Sequence, residues 1–345
     1  MYLKELTKLY YLRSSTYLLT QITRNTFMKP KALLIGLVLM LPIAMISCDD
    51  DNGNSQGTVT EELQANDDLS QLATLLEDQG LVDQLEGDGP YTIFAPTNAA
   101  FEQISDVTGS LSDEQLTEVL SYHVLQGNVM SSDLDTAQKA PSLTGENLHI
   151  IVEDGTVIVN GINTDIGSEV TQADIEATNG VIHKINQPLL PDKFLNVFAI
   201  AAKRYEFSRV VGAAGIAGLA DTLSSPNAEY TVFAPTNAGF EILDQQNIDL
   251  TENPEQLETV MKTHVFSGTV TSDMIEDGMQ APALSGIPFT FNINGETVTL
   301  QGQTENGTTN EVQVTATDLV GTNGVVHVIN SVIVPPSATS SGSAN

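Results

Sequence analysis

The sequence predicts two tandem domains of one kind, each with helices in its first half and β-hairpins in its second half. The stretch YTIFAPTNAAFEQI at 91–104 returns as YTVFAPTNAGFEIL at 230–243, with ten of fourteen residues identical. A second motif, TNGVIHKIN at 178–186, returns as TNGVVHVIN at 322–330. Two motifs that recur in the same order indicate a duplicated unit.

The first half of each unit carries helical patterning. Apolar residues spaced for one helix face are Leu69, Leu72, Leu75 and Leu76 in the first unit and Phe194, Val197, Phe198 and Ala201 in the second. Tyr91 to Ala95 then alternates as a strand, which Pro96 ends because proline holds its predecessor extended. Thr97 and Asn98 supply oxygens that can cap a helix beginning at Ala99.

One more helix is predicted in each unit before the hairpins begin. In the first unit Ser112 starts a capping-box spacing, and in the second Asn253 is followed by Pro254 at the first helical position. The inward stripe of each helix ends in a histidine, His123 or His264. We therefore expect the same helix in both units.

The second half of each unit is dominated by β patterning. HIIVEDGTVIVNG at 149–161 and FTFNINGETVTLQG at 289–302 alternate around Asp-Gly or Asn-Gly, dipeptides typical of hairpin turns. The closing motif adds a final strand, and prolines end each unit. These limits predict domains at 60–191 and 192–336, followed by a flexible tail at 337–345.

The charge excludes a nucleic-acid-binding protein. Residues 48–345 hold 7 basic and 43 acidic residues, a formal charge of −36. Nucleic-acid affinity depends largely on cationic neutralisation of phosphates, whereas this charge repels polyanions. Acidity of this kind is typical of a solvated, soluble surface.

The first 47 residues have the order of a secretory signal peptide. From Met28 a short basic head is followed by an apolar run at 32–46, then by Ser47 and Cys48. The run has 15 residues, whereas a membrane-spanning helix needs about 20. We expect residues 1–47 to be removed, with Met28 as an alternative start because residues 1–27 add nothing that such a signal requires.

Cys48 is the only cysteine, so an intramolecular disulfide is impossible. The letters MISC before DDD resemble a bacterial lipoprotein signal of Bacteroidetes type, although Met45 stands where Leu is usual. The resemblance implies lipid attachment at Cys48, a tether at 48–59 and a surface-exposed outer-membrane lipoprotein of the cell envelope. Several acyl chains together anchor a protein stably.

The two repeated motifs, with helices first and hairpins after, resemble the fasciclin domain (FAS1, beta-Ig-H3/fasciclin). The resemblance covers nearly all of residues 60–336. It implies an α+β fold in which each domain is a wedge of two β sheets with several packed helices. It also implies cell adhesion or extracellular matrix binding rather than catalysis.

The same resemblance implies candidate binding residues. Animal members of the family have binding attributed to a Tyr-His pair and to an Asp followed by an aliphatic residue just before the closing motif. The matching positions are Tyr122, His123, Asp174, Ile175, Asp318 and Leu319. The second unit has Thr263 before its histidine, and an integrin partner does not carry over because a bacterial lipoprotein need not meet one.

The histidines are expected to be buried and structural, because His123, His264, His183 and His327 lie on apolar stripes and buried polar groups are normally hydrogen-bonded. A zinc site takes four converging ligands, which this spacing does not suggest, and the calcium-loop pattern is missing from the sequence. We expect no metal and no cofactor.

The sequence carries no nucleophile elbow, phosphate loop or dinucleotide fingerprint. We therefore expect no enzyme activity. A hydrolase with paired carboxylates is the lowest-ranked alternative, because the fold can bring such residues together without a local motif.

The sequence thus predicts a cell-surface-anchored adhesion or matrix-binding protein that contacts extracellular proteins or glycans through two domains. Tandem duplication would add avidity through effective concentration. The alternative is an accessory binding protein for polysaccharide or small-molecule uptake at the outer membrane, with a ligand pocket in the wedge.

Overall fold

The computed structural model describes residues 56–87, 89–104, 111–246, 253–305 and 307–336. The predicted signal segment, Cys48, most of the tether and the tail at 337–345 lie outside the described residues. We call residues 56–191 the first domain and 192–336 the second domain. The first described helix begins at Val59 with Thr58 as its N-cap, which is inside the predicted tether.

Each domain begins with a set of short helices. Those of the first domain are α1 (Val59–Ala65), α2 (Ser70–Asp78), α3 (Val82–Leu85), α4 (Asn98–Glu102) and α5 (Asp113–Tyr122). Those of the second domain are α6 (Val197–Ala202), α7 (Ser208–Ile216), α8 (Ala220–Ser224), α9 (Asn237–Gln245) and α10 (Pro254–Thr263). The two sets follow each other in the same order, as a duplication requires.

The strands repeat in the same way. The first domain has β1 (Tyr91–Pro96), β2 (Val124–Gln126), β3 (Ala137–Pro141), β4 (Asn147–Glu153), β5 (Thr156–Val159), β6 (Ser168–Ala177) and β7 (Gly180–Ile185). The second has β8 (Tyr230–Pro235), β9 (Val265–Ser267), β10 (Gln280–Pro282), β11 (Pro288–Asn294), β12 (Thr297–Thr304), β13 (Gly307–Thr308), β14 (Val312–Gly321) and β15 (Gly324–Ile329).

The sheet of each domain is a wedge of two halves that share one long strand, as predicted. The order in the first domain is β2-β1-β7-β6-β5-β4-β3, and the second domain repeats it as β9-β8-β15-β14-β12-β11-β10. In β6 only Ser168 and Glu169 pair with β5, whereas the rest of the strand pairs with β7 through two register shifts. The shifts bend the strand and separate the halves.

The repeated YT(I/V)FAP motif forms the strand next to one edge of each sheet, β1 between β2 and β7 or β8 between β9 and β15, and this strand is buried on both faces. Ile93 belongs to the core under the helices, whereas Phe94 belongs to a second core under the hairpins. Alternate side chains of this strand therefore face two different cores, instead of a core on one side and solvent on the other. Thr97 caps α4 by accepting from the N–H of Ala100 at 3.2 Å, so the helix begins at Asn98, one residue earlier than predicted.

The predicted pairing of the opening helices of the two units is wrong by one helix. The apolar stripe of Leu69 to Leu76 lies on the turn before α2 and on α2 itself, whereas that of Phe194 to Ala201 runs into α6. The order of the elements makes α6 the counterpart of α1, and α7 the counterpart of α2. Both stripes fit a helix face, so periodicity alone could not align them.

The helical cores of both domains belong to one contiguous cluster of buried apolar side chains. The cluster passes through Leu190, Phe194 and Leu195, where the chain crosses from one domain to the next. The two domains therefore bury apolar surface against each other rather than hanging on a flexible linker.

The prediction of buried, hydrogen-bonded histidines is confirmed for the two that end α5 and α10. His123 donates from Nδ1 to the carbonyl oxygen of Val119 (2.7 Å) and accepts at Nε2 from the N–H of Leu189 (2.8 Å). His264 makes the equivalent bonds at 2.8 and 2.9 Å. Because burial disfavours the charged ring, the pKa of each is lowered to about 4.

These pKa values predict a loss of stability at mildly acidic pH. An unfolded histidine titrates near pH 6.5, above the folded value of about 4, so protonation favours the unfolded chain. The stabilisation is complete above pH 6.5 and is lost as the pH falls towards 4, by roughly 2 kcal/mol for each histidine at pH 5. Urea unfolding at pH 7 and pH 5 measures it.

The control is the double variant His123→Gln/His264→Gln, whose amides can donate and accept but do not titrate. Its free energy of unfolding should change less between pH 7 and pH 5 than that of the unmodified protein. An equal change in both proteins would show that these histidines do not cause the pH dependence.

Candidate binding groove between the two domains

The Tyr-His pair of the first domain lies inside the protein. Tyr122 is 0% exposed and His123 is 1% exposed, so neither side chain can contact a partner directly in this structure. The tyrosine hydroxyl donates to the carbonyl oxygen of Asn147 (3.1 Å) and accepts from Asn160 Nδ2 (3.0 Å). The pair supports the fold from within, and its predicted role in binding stays a prediction.

The two Asp residues before the closing motifs hold the same local structure in each domain. Asp174 accepts from the N–H of Ser131 (2.8 Å) and from its hydroxyl, and its own N–H donates to Nδ1 of His183 (3.2 Å). Asp318 makes the same contacts with Ser272 and His327. Each Asp therefore fixes a neighbouring 3-10 turn against the sheet.

At these two carboxylates, hydrogen bonding has a larger effect on the pKa than burial has. Burial alone would raise the pKa of Asp174 and Asp318, but the serine hydroxyl and N–H hold both below their usual value. Burial in turn lowers the pKa of His183 and His327. Because each ring accepts from an Asp N–H, it is held as the neutral imidazole.

A groove of about 460 Å³ lies at the junction of the domains, and one of the two predicted Asp-aliphatic pairs lines it. Asp318 and Leu319 are on its wall, whereas Asp174 and Ile175 are not. The residues that line the groove are Glu118, Lys139, Gly145, Glu146, Asn147, His149, Asp192, Lys193, Arg204, Glu206, Phe207, Ala316, Asp318, Leu319, Val320 and Val328.

A fully buried ammonium group ties the domains together beneath the groove. Lys203, at the end of α6, is 0% exposed. Its Nζ lies 3.0 Å from the hydroxyl of Tyr122, 2.5 Å from Oε1 of Glu146 and 2.6 Å from Oδ1 of Asp192. Arg204 adds a bidentate pair with Asp192. We call Tyr122, Glu146, Asp192, Lys203 and Arg204 the junction cluster.

A second set of charged contacts crosses the junction on the groove wall. Glu206 of the second domain pairs with Lys139 of the first at 2.7 Å, and its Oε2 lies 3.6 Å from Nδ1 of His149. Burial would raise the pKa of Glu206, but the contacts with His149 and Lys139 lower it to about 2. Lys193 pairs with Glu118 beside them.

The residues that form the junction have no chemically similar counterparts at the equivalent positions of the other domain. Helix and cap positions align Lys203 and Arg204 with Ala65 and Asn66 of the first domain. In the same way Tyr122 aligns with Thr263. The hairpins align Glu146 with Ile287 and His149 with Thr290. The charged residues are thus specific to the face that each domain turns towards the other.

Equivalent positions of the two domains form different ion pairs. In the first domain Asn66 and Asp68 bind the ammonium of Lys184 at 3.0 and 3.1 Å. In the second domain Val328 stands where Lys184 would be. Arg204, in place of Asn66, pairs with Asp192, whereas Glu206, in place of Asp68, reaches Lys139 and His149 of the first domain.

Sequence reasoning missed the junction, although it had one usable signal. Lys139, Lys193, Lys203 and Arg204 are four of the seven basic residues that follow Cys48. A strongly acidic chain that places three of these cations, Lys193, Lys203 and Arg204, within 12 residues indicates ion pairs with a specific purpose. The partners could not be named from sequence, because they lie 11 to 81 residues away.

In the described residues, no group of three or more His, Cys, Asp or Glu side chains is placed to hold a metal ion. The groove is lined by charged and polar groups, mostly of the first domain and of residues 192–206, and by aliphatic side chains of β14 and β15. Such a mixture suits binding through hydrogen bonds and apolar contact.

Two α+β domains of the same architecture, joined through a buried junction, define a tandem-repeat protein. The fasciclin-domain family model matches residues 67–191 and 205–335. The chain belongs to the fasciclin family.

Known relatives agree with this assignment. The chain is 27% identical over 260 residues to the transforming growth factor-beta-induced protein ig-h3 of Sus scrofa, covering 74% of this chain and 36% of the relative. It is 27% identical over 266 residues to human periostin, covering 75% and 30%. Protein sll1483 of Synechocystis sp. is 36% identical over 143 residues, covering 40% and 76%. The chain therefore spans about a third of the first two relatives.

A solved structure shows the same fold. A FAS1 domain pair from the insect cell adhesion molecule fasciclin I aligns with a TM-score of 0.55 at 16% identity, covering 79% of this chain and 99% of that one. The predicted α+β fold of two tandem fasciclin domains is confirmed.

The junction cluster predicts that Lys203→Met destabilises the protein. The change leaves Glu146 and Asp192 without the ammonium they share, and breaking a buried ion pair costs about 3 to 5 kcal/mol. Lys262→Met is the matched control, since Lys262 pairs with Glu258 in solvent and an exposed pair contributes at most about 1 kcal/mol. Urea unfolding of both variants measures the difference, and equal losses would contradict a stabilising junction.

Proposed function

We propose that the chain is a cell-surface-anchored, non-catalytic binding protein of the adhesion type, which contacts extracellular proteins or glycans with its two domains acting as one body. The observation that carries this proposal is the groove at the junction. Its volume of about 460 Å³ is within the range of ligand sites, about 300 to 1,000 Å³. Side chains of both domains line it, so the site depends on the duplication.

The family supports adhesion-type binding. Its members include the insect cell adhesion molecule fasciclin I, as well as ig-h3 and periostin. The partners of those longer proteins are not assigned to this chain.

The buried junction favours a composite site over independent avidity. Tandem binding modules gain avidity when each engages its own ligand through a linker. Here the residues at the junction differ between the copies, and the groove needs both domains. We propose that duplication created one shared surface.

Anchoring through an acylated Cys48 is part of the proposal. The order of the signal-like segment and the acidic residues after the cysteine support it. None of the described helices has the length and apolarity to span a membrane.

The second candidate function is an accessory binding protein for polysaccharide or small-molecule uptake at the outer membrane. The groove favours it as well, because a groove of this size can hold a short ligand. Mass spectrometry of the protein purified under native conditions separates the two: a retained small molecule supports uptake.

The anchoring proposal predicts that Cys48→Ala moves the protein out of the membrane fraction, because the acceptor of the acyl chains is gone. Cells that carry this variant should lose attachment to immobilised extracellular matrix protein, and the released variant should compete with attachment of unmodified cells. Fractionation and an attachment assay measure both effects. A variant that stays with the membrane would refute lipid anchoring, and unmodified cells that do not attach would refute the adhesion function.

A further inference from the structure

One edge of β14 is left without a strand partner where it borders the groove. Only Val312 and Gln313 pair with β12, whereas the strand from Val314 to Gly321 pairs with β15 alone. No other strand of the described residues lies along that second edge. An open strand edge offers a row of backbone donors and acceptors to another chain.

At Val320 the strand edge has a backbone donor and acceptor that another chain could bind. Gly321 and Gly324 close the two-residue turn between β14 and β15, so the N–H and C=O of Val320 point away from β15. Its backbone makes no hydrogen bond to the described residues outside that ladder. The side chain is 44% exposed, so it can contact a bound segment.

The next group along this edge already shows strand-like pairing. The N–H of Thr322, two residues on, donates to the carbonyl oxygen of Leu195 at 2.7 Å. Residues 192–195 therefore pack against β14 and pair with it at Thr322, but they make no hydrogen bond to the N–H or C=O of Val320. A bound segment would continue the pairing that Leu195 begins.

The groove beside this edge is apolar on one wall and acidic overall. Ala316, Leu319, Val320 and Val328 form the apolar wall. The charged groups that line the groove are five carboxylates and three cations, and the chain after Cys48 carries a formal charge of −36. Long-range attraction therefore favours a cationic ligand over an anionic one.

We propose that the groove binds an extended segment of a protein partner, which adds as a strand to the edge of β14 at Val320 and carries basic side chains between apolar ones. Backbone hydrogen bonds would hold the segment and alternate side chains would select it, as in other cases of strand addition. This inference rests on the proposed binding function and names the kind of ligand that the groove takes.

The first domain shows that the open apolar edge is specific to the second. Its equivalent edge carries Glu176 at the position of Val320, and the side chain of Gln56 binds that carboxylate at 3.2 Å. The N–H of Thr178 donates to Gly57, as that of Thr322 does to Leu195. A glutamate is therefore tolerated by the fold at this position.

The test uses Val320→Glu, which copies the first domain, in the full chain. The probe is a synthetic peptide of alternating Lys and Val, about ten residues long so that it spans an extended strand edge. A matched peptide with Glu in place of Lys is the charge control. Binding is followed by calorimetry, and by hydrogen exchange at the amide of residue 320.

The control variant is Ile216→Glu, which adds the same charge at another exposed aliphatic residue of the second domain, 39% exposed and outside the groove lining. We expect Val320→Glu to weaken binding of the Lys peptide about tenfold, because the apolar contact at this strand edge is lost. Ile216→Glu should leave it unchanged, and the Glu peptide should not bind.

If binding were purely electrostatic, the affinity would not fall. Both variants add a negative charge, so each would bind the Lys peptide as tightly as the unmodified protein or more tightly. That result, or no slowing of exchange at residue 320, would overturn the inference. Displacement of the peptide by a neutral oligosaccharide such as maltoheptaose would assign the groove to a glycan and also overturn it. In the attachment assay, Val320→Glu cells that attach normally would refute only this inference, whereas unmodified cells that do not attach would refute the proposed function.

Discussion

The buried ammonium group of Lys203 is the contact on which the arrangement of the two domains depends. A charge removed from water is stable only where its partners compensate the lost hydration. Here the partners are Tyr122 and Glu146 of the first domain and Asp192 at the start of the second domain. Any change in the relative position of the domains would leave this charge without one of them. The cluster thus selects one arrangement, and the groove above it has a defined shape.

The duplication explains both the likeness of the domains and their difference. Both keep the buried strand of the YT(I/V)FAP motif, the buried histidine and the Asp that fixes the 3-10 turn, and these residues make the same contacts in each wedge. They differ where one domain faces the other, as at Lys203 and Ala65, or Val320 and Glu176. A repeated unit has therefore acquired two different faces, and the candidate site lies between them.

Local features of the fold could be predicted from sequence, because each has a local cause. The cap at Ser112, the Asp-Gly hairpin after Glu153 and the strand before Pro96 follow from neighbouring residues. The burial of Tyr122 and the junction could not be predicted in this way. They depend on single charged side chains far apart in the chain, which leave no periodic pattern. Besides the placement of the cations, the repeat shows a difference at this point, since Thr263 stands at the position of Tyr122 in the domain whose equivalent face forms no junction.

The most direct measurement of the central claim is the distance between the domains in solution. Cys48 is the only cysteine, so a Cys48→Ser background allows spin labels at two introduced cysteines, Gln103→Cys and Ile242→Cys, equivalent exposed positions of the two domains. Pulsed electron paramagnetic resonance should give one narrow distance distribution, which broadens when Lys203→Met is added. A broad distribution with Lys203 intact would contradict the claim that the junction cluster fixes the two domains as one body.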